Sequence, residues 1–197
     1  MNQSQPPLRH PAVSLIGAPT DIGAGSRGAS MGPEALRVAN LVPVLQGLGL
    51  QVLDRGNLSG PANPWLAPVD GYRHLDEVVA WNTAVHDAVY SELGQGHLPM
   101  VLGGDHGLAL GSVAGAAAFA QSAGRPLFLL WLDAHSDFHT PMTTTSGNLH
   151  GTPVAYIAGR DGFDAFPAFP KPIPAPQICL YGIRSVDPAE HAALLHR

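Results

Sequence analysis

Leu127-Phe128-Leu129-Leu130-Trp131-Leu132-Asp133-Ala134-His135-Ser136-Asp137 decides the fold class. Six consecutive apolar residues are the pattern of a parallel strand covered on both faces, because a strand with one wet face alternates instead. The run stops at Asp133, so its polar end lies at the strand's carboxyl edge, where α/β folds bind ligands. In extended backbone, residues i, i+2 and i+4 share a face. Asp133, His135 and Asp137 can then converge on one point. Two carboxylates and one imidazole form a mixed oxygen and nitrogen set of the kind Mn²⁺ or Zn²⁺ accepts. A polar loop with capping aspartates accounts for the pentapeptide equally well.

Upstream, Pro99-Met100-Val101-Leu102 forms another short strand and runs into Gly103-Gly104-Asp105-His106. Two glycines let the backbone turn sharply and approach a site closely, which would direct His106 into the same crevice. A structural turn with Asp105 capping a helix is the alternative. Two such clusters on neighbouring strand ends favour the metal reading over either alternative. Downstream, Thr143-Thr144-Thr145-Ser146-Gly147-Asn148-Leu149-His150-Gly151 holds hydroxyls, an amide and an imidazole with almost no apolar content. It suits a polar ligand, and it suits a solvated loop.

The rest of the chain alternates strands and helices. Val13 to Gly17 is a first strand, followed by a Gly-rich loop over 17–32. Gly32-Pro33-Glu34 opens a helix, since Pro fits its first position and Glu its positive end. Leu36, Asn40, Leu41, Val44 and Leu48 carry that helix onward. Gln51 to Asp54 is a strand, Leu75 to Leu93 and Leu108 to Ala123 are helices, and Ile178 to Gly182 is a strand. Residues 55–73 and 160–177 are loops, the second with five prolines, and a last helix starts at Pro188. This alternation predicts an α/β fold with a mostly parallel sheet. One domain covers 13–197 behind a polar N-terminal tail, 1–12.

Composition narrows the function. The net charge is −5 with 13% charged residues, and no basic cluster exists for nucleic acid. The single cysteine, Cys179, fits a reducing compartment. No apolar run reaches the ~18 residues of a membrane span, and the first dozen residues lack a signal's apolar core. A soluble cytoplasmic protein is expected. Four of the ten histidines fall between positions 106 and 150, and histidines near carboxylates are material for metal sites.

Together these motifs resemble the ureohydrolase superfamily, and arginase most closely. The resemblance runs from Gly17-Ala18-Pro19 and Arg27-Gly28 through Gly32-Pro33, Gly103 to His106, Asp133 to Asp137 and Thr143 to Gly151. It ends at Gly182-Ile183-Arg184-Ser185-Val186-Asp187-Pro188. It implies a three-layer α/β/α fold and a binuclear Mn²⁺ centre held by His106, Asp133, His135 and Asp137, with Asp133 also among the catalytic residues. Water activated there would attack the guanidinium carbon of L-arginine, giving urea and L-ornithine. His150 matches a histidine for proton transfer or substrate contact, Asp187 a residue near the α-amino group, and Ser146 and Asn148 residues near the α-carboxylate. His139 stands where arginases usually carry Asn, within the substrate-binding set.

The resemblance also implies a later Asp-x-Asp motif with two further metal ligands, and no Asp-x-Asp follows Asp137. The late strands of such folds lie between the third and fourth. The chain is therefore expected to be C-terminally incomplete and inactive alone, and the full-length protein a trimer or hexamer. Agmatinase, formiminoglutamase or another guanidino-compound ureohydrolase is the neighbouring reading, and a non-catalytic metal-binding pseudoenzyme the third.

Overall fold

The computed structural model describes residues 11–195. Apart from Pro11 and Ala12, the N-terminal tail expected over 1–12 lies outside them. Among the described residues, five strands and six α-helices follow in order: β1 Val13–Ala18, α1 Gly32–Val38, α2 Leu41–Gly47, β2 Val52–Asn57, α3 Leu75–Gly94, β3 Leu98–Gly103, α4 Ala109–Ser122, β4 Leu129–Leu132, α5 Pro153–Ile157, β5 Ile178–Tyr181 and α6 Pro188–Leu195. All strand pairings are parallel, in the order β2-β1-β3 and, separately, β4-β5. The break falls between β3 and β4, where the resemblance puts later strands.

Strand β1 organises the larger sheet because every one of its residues is buried. Alternation along it sends Ile16 and Ala18 to one face, against Val78, Trp81, Val85 and Val89 of α3. Val13 and Leu15 go to the other face, against Leu45 of α2. Helices thus cover both faces, which makes three layers. Each such fully buried apolar side chain contributes roughly 1.5–3 kcal/mol relative to exposure. Helices α3 and α4 approach closely at Gly111, where a Cβ would lie 2.2 Å from the Asn82 carbonyl oxygen. No residue with a side chain fits that crossing.

The single helix expected from Gly32 to about Leu48 is two helices. Pro43 has no N–H and its ring collides with the carbonyl four residues back, so a helix cannot run through 39–43. Asn40 takes a left-handed conformation, φ 63°, and restarts the chain as α2. Helical spacing alone does not register that obstacle.

Strand β4 also departs from expectation, since only one of its faces is covered. Trp131 is buried and Leu129 is partly buried against Phe138, Val154 and Ile157. Phe128, Leu130 and Leu132 are 69%, 61% and 68% exposed on the other side, joined by Tyr181 of β5 at 68%. The uninterrupted apolar run signals two buried faces, and the described residues bury one. Helix α5, inside a segment that gave no helical signal, begins with Pro153 and is buried throughout.

Candidate metal centre

The end of β3 is pinned from behind. A Cβ on Gly104 would sit 1.6 Å from the Thr20 carbonyl oxygen, so only glycine permits that backbone approach. The Asp105 N–H donates to Thr20 O at 3.0 Å. The buried Asp105 carboxylate accepts from Gly107 N at 2.8 Å and Gly23 N at 2.9 Å. Burial pushes its carboxyl above the usual range, despite those two donors. Asp105 is therefore the structural cap weighed above, tying the turn to the 20–23 loop, while His106 is free to project. The His106 ring stacks on Trp131, centroids 4.3 Å apart and planes 20° off parallel.

Beyond β4 the backbone is not the extended strand that the i, i+2, i+4 argument required. The strand ends at Leu132, and Asp137 adopts φ 46°. Its carbonyl accepts from Val154 N at 3.0 Å and Ala155 N at 3.4 Å, so the turn serves the free N–H groups that open α5. The consequence is selective convergence. His106 Nδ1 lies 2.8 Å from Asp133 Oδ2 and 2.9 Å from Asp137 Oδ2. His135 stands apart from this trio, exposed, with Nδ1 3.3 Å from Asp133 Oδ1. Asp133 thus faces His106 with one oxygen and His135 with the other.

These groups fit a cation. Asp137 is buried, and its Oδ2 has no hydrogen-bond partner although His106 Nδ1 is within reach. Ligand atoms of His106, Asp133 and Asp137 all lie within 4.8 Å of one another. Burial alone would lower the basicity of His106, but the Asp137 and Asp133 carboxylates outweigh it and raise its pKa. Burial would raise Asp133, yet the His135 N–H and His106 hold it below the usual carboxylate range. The set is two anionic oxygens and a nitrogen, a combination that suits Mn²⁺ or Zn²⁺.

The trio opens into a cleft of about 370 Å³ that brings together every residue singled out in the sequence: His106, Asp133, His135, Asp137, His139, Ser146, Asn148, His150 and Asp187. A second cleft of about 400 Å³, near Arg125 and Lys171, has neither carboxylate nor imidazole in its wall. The His150 N–H donates to Gly23 O at 3.2 Å, which ties this histidine to the same loop as Asp105. Ser146 Oγ accepts from Asn148 N at 3.2 Å. Asn148 Oδ1 is buried without a hydrogen-bond partner. His139 Nε2 meets Asp187 Oδ2 at 2.6 Å.

Sequence reasoning missed Glu190. This buried residue accepts from Ser136 Oγ at 2.5 Å and Phe138 N at 3.0 Å through Oε1, and from Asp187 N at 3.3 Å through Oε2. It joins the loop after β4 to the start of α6. The signal was available: Asp187-Pro188-Ala189-Glu190 has the spacing of a capping box, and Asp187 Oδ1 accepts from Ala189 N and Glu190 N at 2.8 and 2.9 Å.

The fold and cleft define a parallel α/β protein with a carboxylate and imidazole centre at its strand ends. Comparison with known proteins narrows that class. The sequence model of the Arginase family matches residues 11–197, and the chain belongs to the Arginase family. It is 47% identical to the arginase of Brucella melitensis over 182 residues, 91% of this chain and 59% of that protein. It is 42% identical to the arginase of Agrobacterium fabrum, over 89% and 55% of the two chains. Among solved structures, the native Bacillus caldovelox arginase superposes with a TM-score of 0.84 at 32% identity, over 94% and 62% of the chains. The Entamoeba histolytica arginase in complex with L-ornithine gives 0.84 at 29%, over 95% and 63%. The chain therefore spans about three-fifths of the length of the relatives it matches. No helix among the described residues is long and apolar enough to cross a membrane.

Proposed function

We propose that this chain carries the first part of the active site of a manganese-dependent amidinohydrolase that converts L-arginine to L-ornithine and urea. The observation that carries the reading is the convergence of His106 with Asp133 and Asp137, whose facing carboxylate oxygens lie 2.8 and 2.9 Å from one ring nitrogen. His106 and Asp137 would hold one Mn²⁺, His135 a second, and Asp133 both, since its two oxygens face the two histidines. Such a pair of ions supplies charge that makes water a nucleophile at neutral pH. His150 stands at the cleft wall, where it would move a proton or contact substrate. Asn148 would meet the polar end of the substrate, beside Ser146, His139 and Asp187. L-arginine is favoured over agmatine because the Thr143 to Gly151 run gives the cleft a wall of hydroxyl and amide groups for an α-carboxylate. The ornithine complex of the similar Entamoeba histolytica enzyme supports the same choice.

The chain supplies four of the ligands the resemblance implies, and two aspartates of the later Asp-x-Asp motif are not among its residues. We infer that residues 1–197 alone do not turn over arginine, and that a trimer or hexamer is the state of the full-length protein in the cytoplasm. The test is urea release from L-arginine and from agmatine, with Mn²⁺, by two proteins. One is this chain; the other is a chimera joining it to the later segment of the Brucella melitensis relative. The reading expects urea from arginine by the chimera alone. Preference for agmatine would move the substrate to a neighbouring ureohydrolase. No urea from either, with Mn²⁺ bound to the chimera, would leave the pseudoenzyme.

A further inference from the structure

One wall of the cleft is held by a tight turn that does not itself line it. Val69 and Tyr72 exchange both backbone hydrogen bonds, Val69 N to Tyr72 O at 2.8 Å and Tyr72 N to Val69 O at 2.9 Å. Asp70 and Gly71 between them take φ 50° and 84°, the left-handed pair of a two-residue hairpin turn, which Asp-Gly favours. Two residues on from Tyr72, His74 is buried. Its Nε2 accepts from Leu66 N at 3.0 Å, so Nδ1 carries the hydrogen and donates to Ile22 O at 3.2 Å. Both partners are backbone groups whose roles are fixed. Arg73 therefore stands on backbone anchored on either side.

From there Arg73 reaches the segment that holds Ser146 and Asn148. Its N–H donates to Gly147 O at 3.0 Å, its Nε to Ser146 O at 3.2 Å and its Nη1 to Leu66 O at 3.4 Å. Gly147 has φ 71°, and a Cβ on it would lie 2.8 Å from Gly71 O, so the turn packs where only glycine fits. Ser146 and Asn148 line the cleft, while Gly147 and Arg73 do not. We propose that Arg73 is a positioning residue that gives the cleft its preference for a substrate carrying an α-carboxylate. The inference rests on the proposed function, which puts Ser146 and Asn148 near that group.

The chemistry is that of two successive carbonyls. A carbonyl oxygen turned toward a carboxylate repels it, whereas a hydroxyl or an amide N–H attracts it. Arg73 engages the oxygens of both Ser146 and Gly147, one through its guanidinium and one through its backbone. A hydrogen bond from a charged donor is about twice as strong as a neutral one. The Ser146 hydroxyl is left to the wall, where it accepts from Asn148 N at 3.2 Å. Without the guanidinium, the Gly147 bond remains, but the Ser146 carbonyl loses its donor and its peptide is free to turn toward the cleft. A substrate lacking the carboxylate does not sense that change.

The test has two arms, both using Arg73→Met, which keeps an apolar stem and removes the side-chain donors. In the 197-residue chain, amide hydrogen exchange over 143–151 should quicken at least about tenfold, with β1 and α3 unchanged. In the chimera with Mn²⁺, KM for L-arginine should rise at least about tenfold, with its kcat, and KM for agmatine, within about threefold. A merely structural role lowers the amount of folded enzyme, which reduces kcat for both substrates and separates neither KM. Unchanged exchange over 143–151, or faster exchange throughout the chain, would overturn the clamp. Faster exchange there, with KM for the two substrates moving together, would overturn the specificity role. An unmodified chimera that releases no urea, or that prefers agmatine, would refute the proposed function and the specificity role with it, while the exchange arm still decides the clamp.

Discussion

At the scale of single residues, the site is built by a few constrained backbone positions. Gly104 is the clearest, and Gly104→Ala should cost at least about 1–3 kcal/mol, the usual penalty of forcing atoms into packed space. Urea denaturation checks it, and an unchanged midpoint would mean that the Thr20 loop yields. Roles within the cleft separate by kinetics. In the chimera, His135→Ala should reduce urea production far more than His150→Ala, because loss of a proposed metal ligand would remove the means of activating water. A proton-transfer group contributes typically about 10²–10⁴-fold. Equal losses with unchanged metal content would show the two roles misassigned. The residues of this cleft were legible because strand ends in a parallel α/β fold converge, so polar motifs directly after apolar runs share a location. The way they converge was not legible. Asp133 and Asp137 meet through a left-handed turn at Asp137, which depends on α5 needing a carbonyl at its start, and α5 left no periodic signal. His135, expected to share their face, is the member that stands apart.

Elements show the same division between local pattern and tertiary demand. Strand β1 and helix α3 follow their hydrophobic patterns closely. The helix expected from Gly32 to Leu48 does not, because Pro43 forbids it and Asn40 absorbs the break. Asn40→Val should cost about 1–2 kcal/mol, the penalty of left-handed backbone for a residue with a branched Cβ. Thermal or urea melts measure this, and no loss would mean that the link between α1 and α2 has freedom the structure does not suggest. Helix α3 is also fastened to the sheet electrostatically. Burial would raise the Glu92 carboxyl, but hydrogen bonds from Arg55, His97 and Ser14 outweigh it and leave its pKa below the usual value. A carboxyl depressed in the folded state contributes stability that is fully present above its ordinary pKa of about 4.3. That contribution is lost as pH falls through the lower folded value. The chain should therefore lose more stability between pH 7 and pH 3.5 than Glu92→Gln does. Parallel pH profiles of the two would contradict the network's role.

For the whole molecule, the informative feature is the divided sheet. The fold class was plain from alternation of strands and helices, and the resemblance, which puts later strands between the third and fourth, implied apolar faces left open there; which face of β4 and β5 is open was not legible. An apolar run specifies what a strand is suited to bury, and the cover must come from elsewhere. Phe128, Leu130, Leu132 and Tyr181 present a continuous apolar surface, and surfaces of that kind associate. The 197-residue chain should self-associate in sedimentation velocity, and Leu130→Lys with Leu132→Glu should shift it toward monomer. A monomer at every concentration, before and after those changes, would show that the face is protected in solution. The proposed role of His106, Asp133 and Asp137 is to hold a metal ion. Calorimetric titration of this chain with Mn²⁺, beside His106→Ala and Asp137→Asn, measures that directly. Binding by the unmodified chain should be saturable and should weaken at least about tenfold in each variant; equal Mn²⁺ affinity in all three proteins would rule the metal site out.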